Sequence, residues 1–239
     1  MSEIATSLSA SSAPRSPSLI RLGARLLTVL TPPLLCLIAV RLVMTPLFLQ
    51  FEYFRPDFPA DPYGLTTDDR MRYAPFALDF LVQGQPLDAL GDLTFPDGSR
   101  QYNQNELVHM RDVQTVTQIA FIVAVVIGIG WMAIAVWLFR QQRIVIGNAL
   151  RQSAIATWSV IVVIVLFSVV AWDQFFVLFH QLLFSEGTWI FPYSDTLIRL
   201  FPERFWFDAA IVIGVLVIAA AALLYGIGSV LRVERTQPR

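Results

Sequence analysis

Four long apolar segments separated by polar ones predict a helical membrane protein. The apolar segments cover about residues 26–50, 115–139, 153–172 and 209–230. A helix rises 1.5 Å per residue, so roughly 20 apolar residues cross the ~30 Å hydrocarbon core of a bilayer. We therefore predict an all-α membrane protein built as a bundle of four transmembrane helices.

The polar segment 51–112 is long enough to carry structure of its own. Thr66, which is followed by two aspartates, is a typical cap for a helix over residues 70–82 that ends near Gly84. A Pro-Asp-Gly turn flanked by apolar and aromatic residues predicts a β-hairpin over residues 93–102. We expect a small α/β cap between transmembrane helices 1 and 2.

The two ends of the chain are predicted to be tails of a single four-span domain, residues 19–232. Residues 1–18 are rich in Ser, Ala and Pro and offer almost nothing to bury, which is typical of a disordered tail. Residues 233–239 form a second, shorter tail.

The distribution of arginine predicts the orientation in the membrane. Nine arginines and two acidic residues lie in the tails, at the adjoining helix ends and between helices 2 and 3. The segments on the other side, 51–112 and 173–208, hold seven arginines and 16 acidic residues. Because positive residues flank the cytoplasmic ends of membrane helices, we predict that both termini are cytoplasmic. The cap is then extracytoplasmic.

Composition excludes several kinds of chemistry. The chain has no lysine for a Schiff base. Its single cysteine, Cys36, lies in the first apolar segment, so neither an intrachain disulfide nor a thiolate cluster for a metal can form. No Gly-rich phosphate loop, zinc-protease motif, nucleophile elbow or basic run suited to nucleic acid occurs. We therefore predict no cofactor, no bound metal and no nucleic-acid partner.

The chain has only two histidines, and both are predicted on the extracytoplasmic side. On a helix that runs into the second span, Glu106, His109 and Asp112 fall within a 120° arc. A carboxylate beside an imidazole can fix its tautomer and raise its basicity, as general-base catalysis requires. Asp173 similarly precedes His180 by seven residues, so a continuous helix places both on nearly the same face.

Three interpretations of the two histidines are open. They form a catalytic pair, they are structural, or they bind a metal with Glu106, Asp112 and Asp173 as further ligands. A catalytic pair acting on one ester has to lie within roughly 10 Å. No serine or cysteine stands out as a nucleophile, which favours direct attack by a group of the substrate.

Arg41 interrupts the first apolar segment, where an unpaired charge costs at least ~2.5 kcal/mol. One interpretation is that its guanidinium reaches outward to lipid headgroups. The other is that it serves the candidate site, where it meets Asp173 or a phosphate or carbonyl of the substrate.

Residues 185–208 resemble an interface more than a free loop. Ser194 or Asp195 can cap a short helix through Leu200, and Pro202 can open the fourth span. An aromatic belt at headgroup level is predicted from Trp189, Phe191, Tyr193, Phe201, Phe205, Trp206 and Phe207.

Three motifs carry a resemblance to a known family: Glu-x-x-His-Met-x-Asp-Val from Glu106, Phe-His-x-x-x-Phe from Phe179, and a segment from Leu197 to Asp208. Together they resemble a bacterial four-span membrane family that includes the lipoprotein intramolecular transacylase. The resemblance implies a plasma-membrane enzyme that acts on a diacylated lipoprotein, with His109 and His180 as the essential histidines. The acyl chain would move from the S-diacylglyceryl group to the α-amine of the N-terminal cysteine, giving the lyso form.

Our leading hypothesis is this intramolecular acyl transfer, without a covalent acyl-enzyme. His180 would be the general base, and His109, oriented by Glu106 or Asp112, would polarise or protonate the tetrahedral intermediate. The alternative is a non-catalytic membrane protein, a lipid-binding or assembly partner with structural histidines. A transporter and a metal-dependent lipid hydrolase have less support from the sequence.

Overall fold

The computed structural model describes residues 17–233, and that range contains nine helices. They are α1 (Pro17–Val43), α2 (Pro46–Tyr53), α3 (Thr67–Gln83), α4 (Asp88–Gly91), α5 (Gln104–Gln141), α6 (Arg143–Val170), α7 (Trp172–Leu183), α8 (Thr196–Leu200) and α9 (Glu203–Val233). The predicted tails lie outside the described residues, except for Pro17 and Ser18, which begin α1, and Val233, which ends α9.

Four of these helices, α1, α5, α6 and α9, are long and apolar enough to cross a membrane. This confirms the prediction of a helical protein with four membrane-spanning segments. α5 begins well before its apolar segment because Asn103 and Glu106 form a capping box at its polar start.

The first membrane helix ends at Val43, whereas the apolar pattern continued it to Gln50. The cause is the Thr45-Pro46 pair, since proline disfavours helical backbone in the residue before it. Thr45 adopts extended backbone and caps α2, and Pro46 occupies the first turn of that helix. α2 is therefore a separate helix, and its buried residues pack with those of the cap.

Small residues let the membrane helices approach closely. A Cβ atom on Gly147 of α6 would lie 2.8 Å from the carbonyl oxygen of Gly228 on α9, and the reverse distance is 2.6 Å. The indole N–H of Trp131 on α5 donates to Thr31 Oγ1 on α1 at 2.9 Å. Helices in lipid associate through this kind of close packing and interhelical hydrogen bonding.

The predicted β-hairpin is wrong, and the cap is helical. Residues 17–233 contain no strand, and segment 93–102 forms only one isolated antiparallel bridge, between Thr94 and Arg100. The turn itself is as predicted, with Gly98 at φ 84°. Its arms are too short for a strand pair because α4 ends at Gly91 and Asn103 already caps α5.

The cap packs α2, α3 and α8 against the first turns of α5 and α9. Thr66 and Asp69 form a capping box at the start of α3, and Gly84 ends that helix at φ 67°. The Gln114 side chain of α5 donates to the carbonyls of Phe80 and Gln85, at 2.7 and 2.8 Å, and so receives the C-terminal end of α3.

A buried pair of carboxylates joins α2 to α9. Glu52 is fully buried and Asp208 nearly so. Asp208 accepts hydrogen bonds from Arg55 and, at 2.6 Å, from Arg204, while Glu52 Oε1 lies 3.3 Å from the Arg55 guanidinium. Burial, followed by the hydrogen bond and charge of Asp208, raises the pKa of Glu52 to about 7.

This pKa makes stability depend on pH. Between the ordinary value of 4.5 and about 7, folded Glu52 keeps a proton that the unfolded chain has lost. Its contribution is therefore complete below pH 4.5 and is lost as the pH rises through 7. We expect the wild-type Tm to fall between pH 5 and pH 8 by at least about 2 °C more than that of Glu52→Gln.

Thermal unfolding in detergent measures both curves, with Glu186→Gln, at an exposed position, as the control. Parallel curves for wild type and Glu52→Gln would contradict the assignment of the proton to Glu52.

Candidate active site

His109 lies near the start of α5, one turn after the residue that anchors this helix to the cap. The Glu106 carboxylate is buried and accepts hydrogen bonds from two backbone N–H groups, Asn103 at 2.8 Å and Leu197 at 2.7 Å. The first bond caps α5 and the second holds the start of α8. His109 is therefore on a rigid turn, and its side chain is buried.

His180 lies on α7, which is separated from α6 by a break at Ala171. Its Nδ1 is 2.7 Å from the carbonyl oxygen of Phe176, one turn earlier on the same helix. A carbonyl only accepts, so Nδ1 carries the proton and Nε2 of the neutral ring has a free lone pair. The backbone carbonyl of His180 accepts a hydrogen bond from the N–H of Phe184, the residue that caps the end of α7.

The structure brings the two imidazoles together. Their ring centroids are 6.3 Å apart and their planes are inclined by 23°. This meets the distance of roughly 10 Å that joint action on one ester requires. The two residues are 71 positions apart in the sequence, so the contact is a property of the fold.

Aromatic rings enclose the pair. Phe184 and Phe191 pack edge-on against His109 at 5.0 and 5.4 Å between centroids. The rings of Phe176 and Trp189 lie 4.1 and 4.9 Å from that of His180. The sequence placed Trp189 and Phe191 in a membrane belt and missed their contact with the imidazoles, which depends on the path of segment 184–195.

That segment folds back through a turn. Gly187 adopts φ 82°, a conformation that favours glycine, and Thr188 donates from both its backbone N–H and its hydroxyl to the Ser185 carbonyl. The turn directs the chain from the end of α7 over the imidazoles and on to α8, whose N-cap is Asp195.

The apolar enclosure sets the protonation of His180. Burial lowers its pKa below the ordinary value of 6.5, and the hydrogen bond to Phe176 offsets part of that effect. The ring is thus mainly neutral at pH 7 and can accept a proton at Nε2.

Among the described residues, none of the predicted carboxylates forms a hydrogen bond with either imidazole. Glu106 uses its oxygens on backbone N–H groups, so it fixes the position of His109 and not its tautomer. Asp112 is half-buried and Asp173 is exposed. Within residues 17–233, no group of three or more His, Cys, Asp and Glu side chains is arranged to hold a metal ion.

Arg41 lies away from the two histidines. Its guanidinium donates to the Met44 carbonyl at 3.1 Å and stacks over the ring of Phe121 at 5.5 Å. It borders an apolar groove of about 560 Å³ between α1 and α5, which reaches inward to Thr31 and Trp131. A guanidinium at the edge of an apolar groove is the arrangement that suits a lipid, with the headgroup at the cation and the acyl chain in the groove.

Comparisons with known proteins identify the family of this chain. Residues 25–206 match the family model described as lipoprotein intramolecular transacylase Lit. The chain belongs to the Lit family. It is therefore a membrane acyltransferase by membership.

Individual proteins resemble this chain in sequence or in fold. An uncharacterised protein of Aquifex aeolicus (strain VF5) is 28% identical over 202 residues, which cover 84% of this chain and 88% of the relative. The structure of the membrane integral transacylase Lit from Bacillus cereus is 22% identical, with a TM-score of 0.80 over 92% of this chain and 99% of that one. A variant of that protein with a histidine replaced by alanine has a TM-score of 0.71, 21% identity and coverage of 91% and 96%.

The tautomer of His180 can be tested directly. We expect ¹⁵N-histidine NMR at pH 7 to show a neutral His180 with its proton on Nδ1, because the Phe176 carbonyl accepts that proton and burial lowers the pKa. Only two histidines contribute, so the spectrum of His109→Gln assigns the signals. An imidazolium signal at pH 7, or a proton on Nε2, would contradict the assignment.

Proposed function

We propose that this acyltransferase moves one acyl chain within a diacylated lipoprotein, from the S-diacylglyceryl group to the α-amine of the N-terminal cysteine. The product is the lyso form. The observation that carries the proposal is the imidazole pair, 6.3 Å apart and enclosed by aromatic rings, in a chain of the Lit family.

The chemistry requires little from the enzyme because the substrate brings its own nucleophile. The amine nitrogen bonds to the ester carbonyl carbon, and the C–O bond to glycerol breaks. The amine proton passes to Nε2 of His180 and then to the glyceryl oxygen, so the histidine ends as it began. Proximity and orientation supply much of the remaining barrier reduction. No covalent acyl-enzyme forms.

His180 is the general base in this scheme because its Nδ1 proton is held by Phe176, which leaves Nε2 as the acceptor. His109 faces it with Nδ1 buried and free of hydrogen bonds to the described residues. We assign to His109 the polarisation of the ester and the orientation of the glyceryl oxygen. Asp112 and Asp173 stay predictions as supporting residues.

We further propose that the site is at the extracytoplasmic surface of the bacterial plasma membrane, with both termini cytoplasmic. The excess of arginine on the other side of the bundle supports this orientation. α7 has no buried residue and exposes Leu178 and Leu182, so its outer face suits lipid. Acyl chains can then reach His180 from the bilayer. We propose that the groove beside Arg41 binds a membrane lipid.

The proposal is tested by expressing wild type, His109→Ala and His180→Ala in a bacterial host whose lipoproteins are diacylated. We expect tandem mass spectrometry of the N-terminal lipopeptide to show an N-acyl, lyso product with wild type. Each variant should lose at least about 10²-fold in product, since general-base catalysis contributes that much.

The control is His109→Gln and His180→Gln expressed at matched membrane levels, since glutamine keeps polarity without a basic ring nitrogen. If wild type leaves the diacylglyceryl form unchanged, or if all variants convert it equally, the histidines do not perform this transfer. The non-catalytic alternative would then be favoured.

A further inference from the structure

The indole N–H of Trp189 is a buried hydrogen-bond donor beside the imidazole pair. Its Nε1 atom is buried and has no acceptor among the described residues. The ring lies against His180, with 4.9 Å between centroids and an inclination of 34°. Buried donors without an acceptor are uncommon, because burial removes the water that would otherwise accept from them.

Other tryptophans of this chain show the usual behaviour. The indole N–H of Trp131 donates to Thr31 Oγ1 at 2.9 Å, that of Trp158 to the Ile218 carbonyl at 3.2 Å, and that of Trp206 to the Phe201 carbonyl at 3.0 Å. Trp172 shares the buried, unpartnered state of Trp189. Trp172, however, packs on Phe175, Phe176 and Phe207 and not on an imidazole.

Acyl transfer creates a need for such a donor. When the amine attacks, the ester carbonyl oxygen becomes an oxyanion, and its charge has to be stabilised by donors already in place. His180 cannot serve while it acts as the base, because Nδ1–H is held by Phe176 and Nε2 accepts the amine proton. His109, which polarises the ester in the proposed scheme, offers one donor, and a developing oxyanion is typically held by more than one. The chain has no lysine, and Arg41 is held beside Phe121.

We propose that Trp189 is a further catalytic residue, whose indole N–H donates to the carbonyl oxygen of the ester as it becomes an oxyanion. This rests on the proposed function. Formation of the N–C bond places negative charge on that oxygen, and the indole N–H stabilises this charge without giving up its proton. When the C–O bond to glycerol breaks, the carbonyl re-forms and the electron pair leaves with the glyceryl oxygen. His180 carries the only proton that moves.

The position of Trp189 fits this role because the turn at Gly187 and the bonds from Thr188 to Ser185 fix the preceding residues. Phe191, two residues later, packs on His109. The same short segment therefore contacts both imidazoles and places the indole beside the base. The indole N–H is thus a preorganised donor, in position before the charge develops.

The test replaces only the N–H. Benzothienylalanine incorporated at position 189 puts sulfur in place of the indole nitrogen and keeps the bicyclic shape. With purified full-length protein and a synthetic diacylated lipopeptide, we expect kcat to fall about 10²- to 10³-fold. KM should change less than about threefold, because the interaction is made mainly in the transition state. The Tm should stay within about 2 °C of wild type.

The matched control is the same replacement at Trp172, which is also buried and unpartnered but has no imidazole contact; its kcat should stay within about threefold of wild type. A normal kcat for the position 189 protein would overturn the role of Trp189 alone. An equal loss at both positions would overturn it as well, since the effect would then be general. If wild type itself gives no product, the proposed function fails, and this inference fails with it.

Discussion

The buried carboxylate of Glu106 joins the membrane helix α5, which carries His109, to the helix α8 of the cap. It closes the capping box at the start of α5 and accepts a hydrogen bond from the N–H of Leu197, in the first turn of α8. α8 is held in turn by Tyr53, whose hydroxyl donates to the Leu200 carbonyl at 2.8 Å, and by Arg70, which donates to the Arg199 carbonyl at 2.9 Å. Removal of this one carboxylate would leave the buried Leu197 N–H without an acceptor, which costs about 1–3 kcal/mol, and would also remove the partly buried bond from Asn103.

The joint matters for function because His109 is one turn away from it. Its partner, His180, reaches the same place from a different direction, on a short helix that leaves the bundle after α6. Aromatic rings from segment 184–195 close the space around both. Burial in this apolar enclosure lowers the pKa of His180 and so favours its neutral ring. In the proposed reaction the same rings would limit hydrolysis of the ester by water.

The sequence was most informative where a pattern is local. Four apolar segments predicted four helices, and Thr66 and Gly84 marked the ends of α3. The orientation predicted from the arginine counts stays a prediction. The error over segment 93–102 arose because the turn signal is local, whereas strand formation needs arms that the neighbouring helices leave no room for. The partners of Glu106 could not be predicted, because Leu197 is 91 positions away and the bond is to its backbone. Contacts of Trp189 and Phe191 with the imidazoles depend in the same way on tertiary packing, and aromatic residues at headgroup level are common without any such role.

The most direct measurement of the central claim, that the substrate is its own nucleophile, is a crossover experiment. Two diacylated lipopeptides of different peptide mass are mixed with the purified protein, one of them carrying deuterated acyl chains. Transfer within one molecule predicts that each lyso product keeps its own label, light on one peptide and heavy on the other. Products with exchanged labels would show that the acyl group leaves its substrate, which would contradict direct attack by the α-amine and require an acyl-enzyme or a second acceptor molecule.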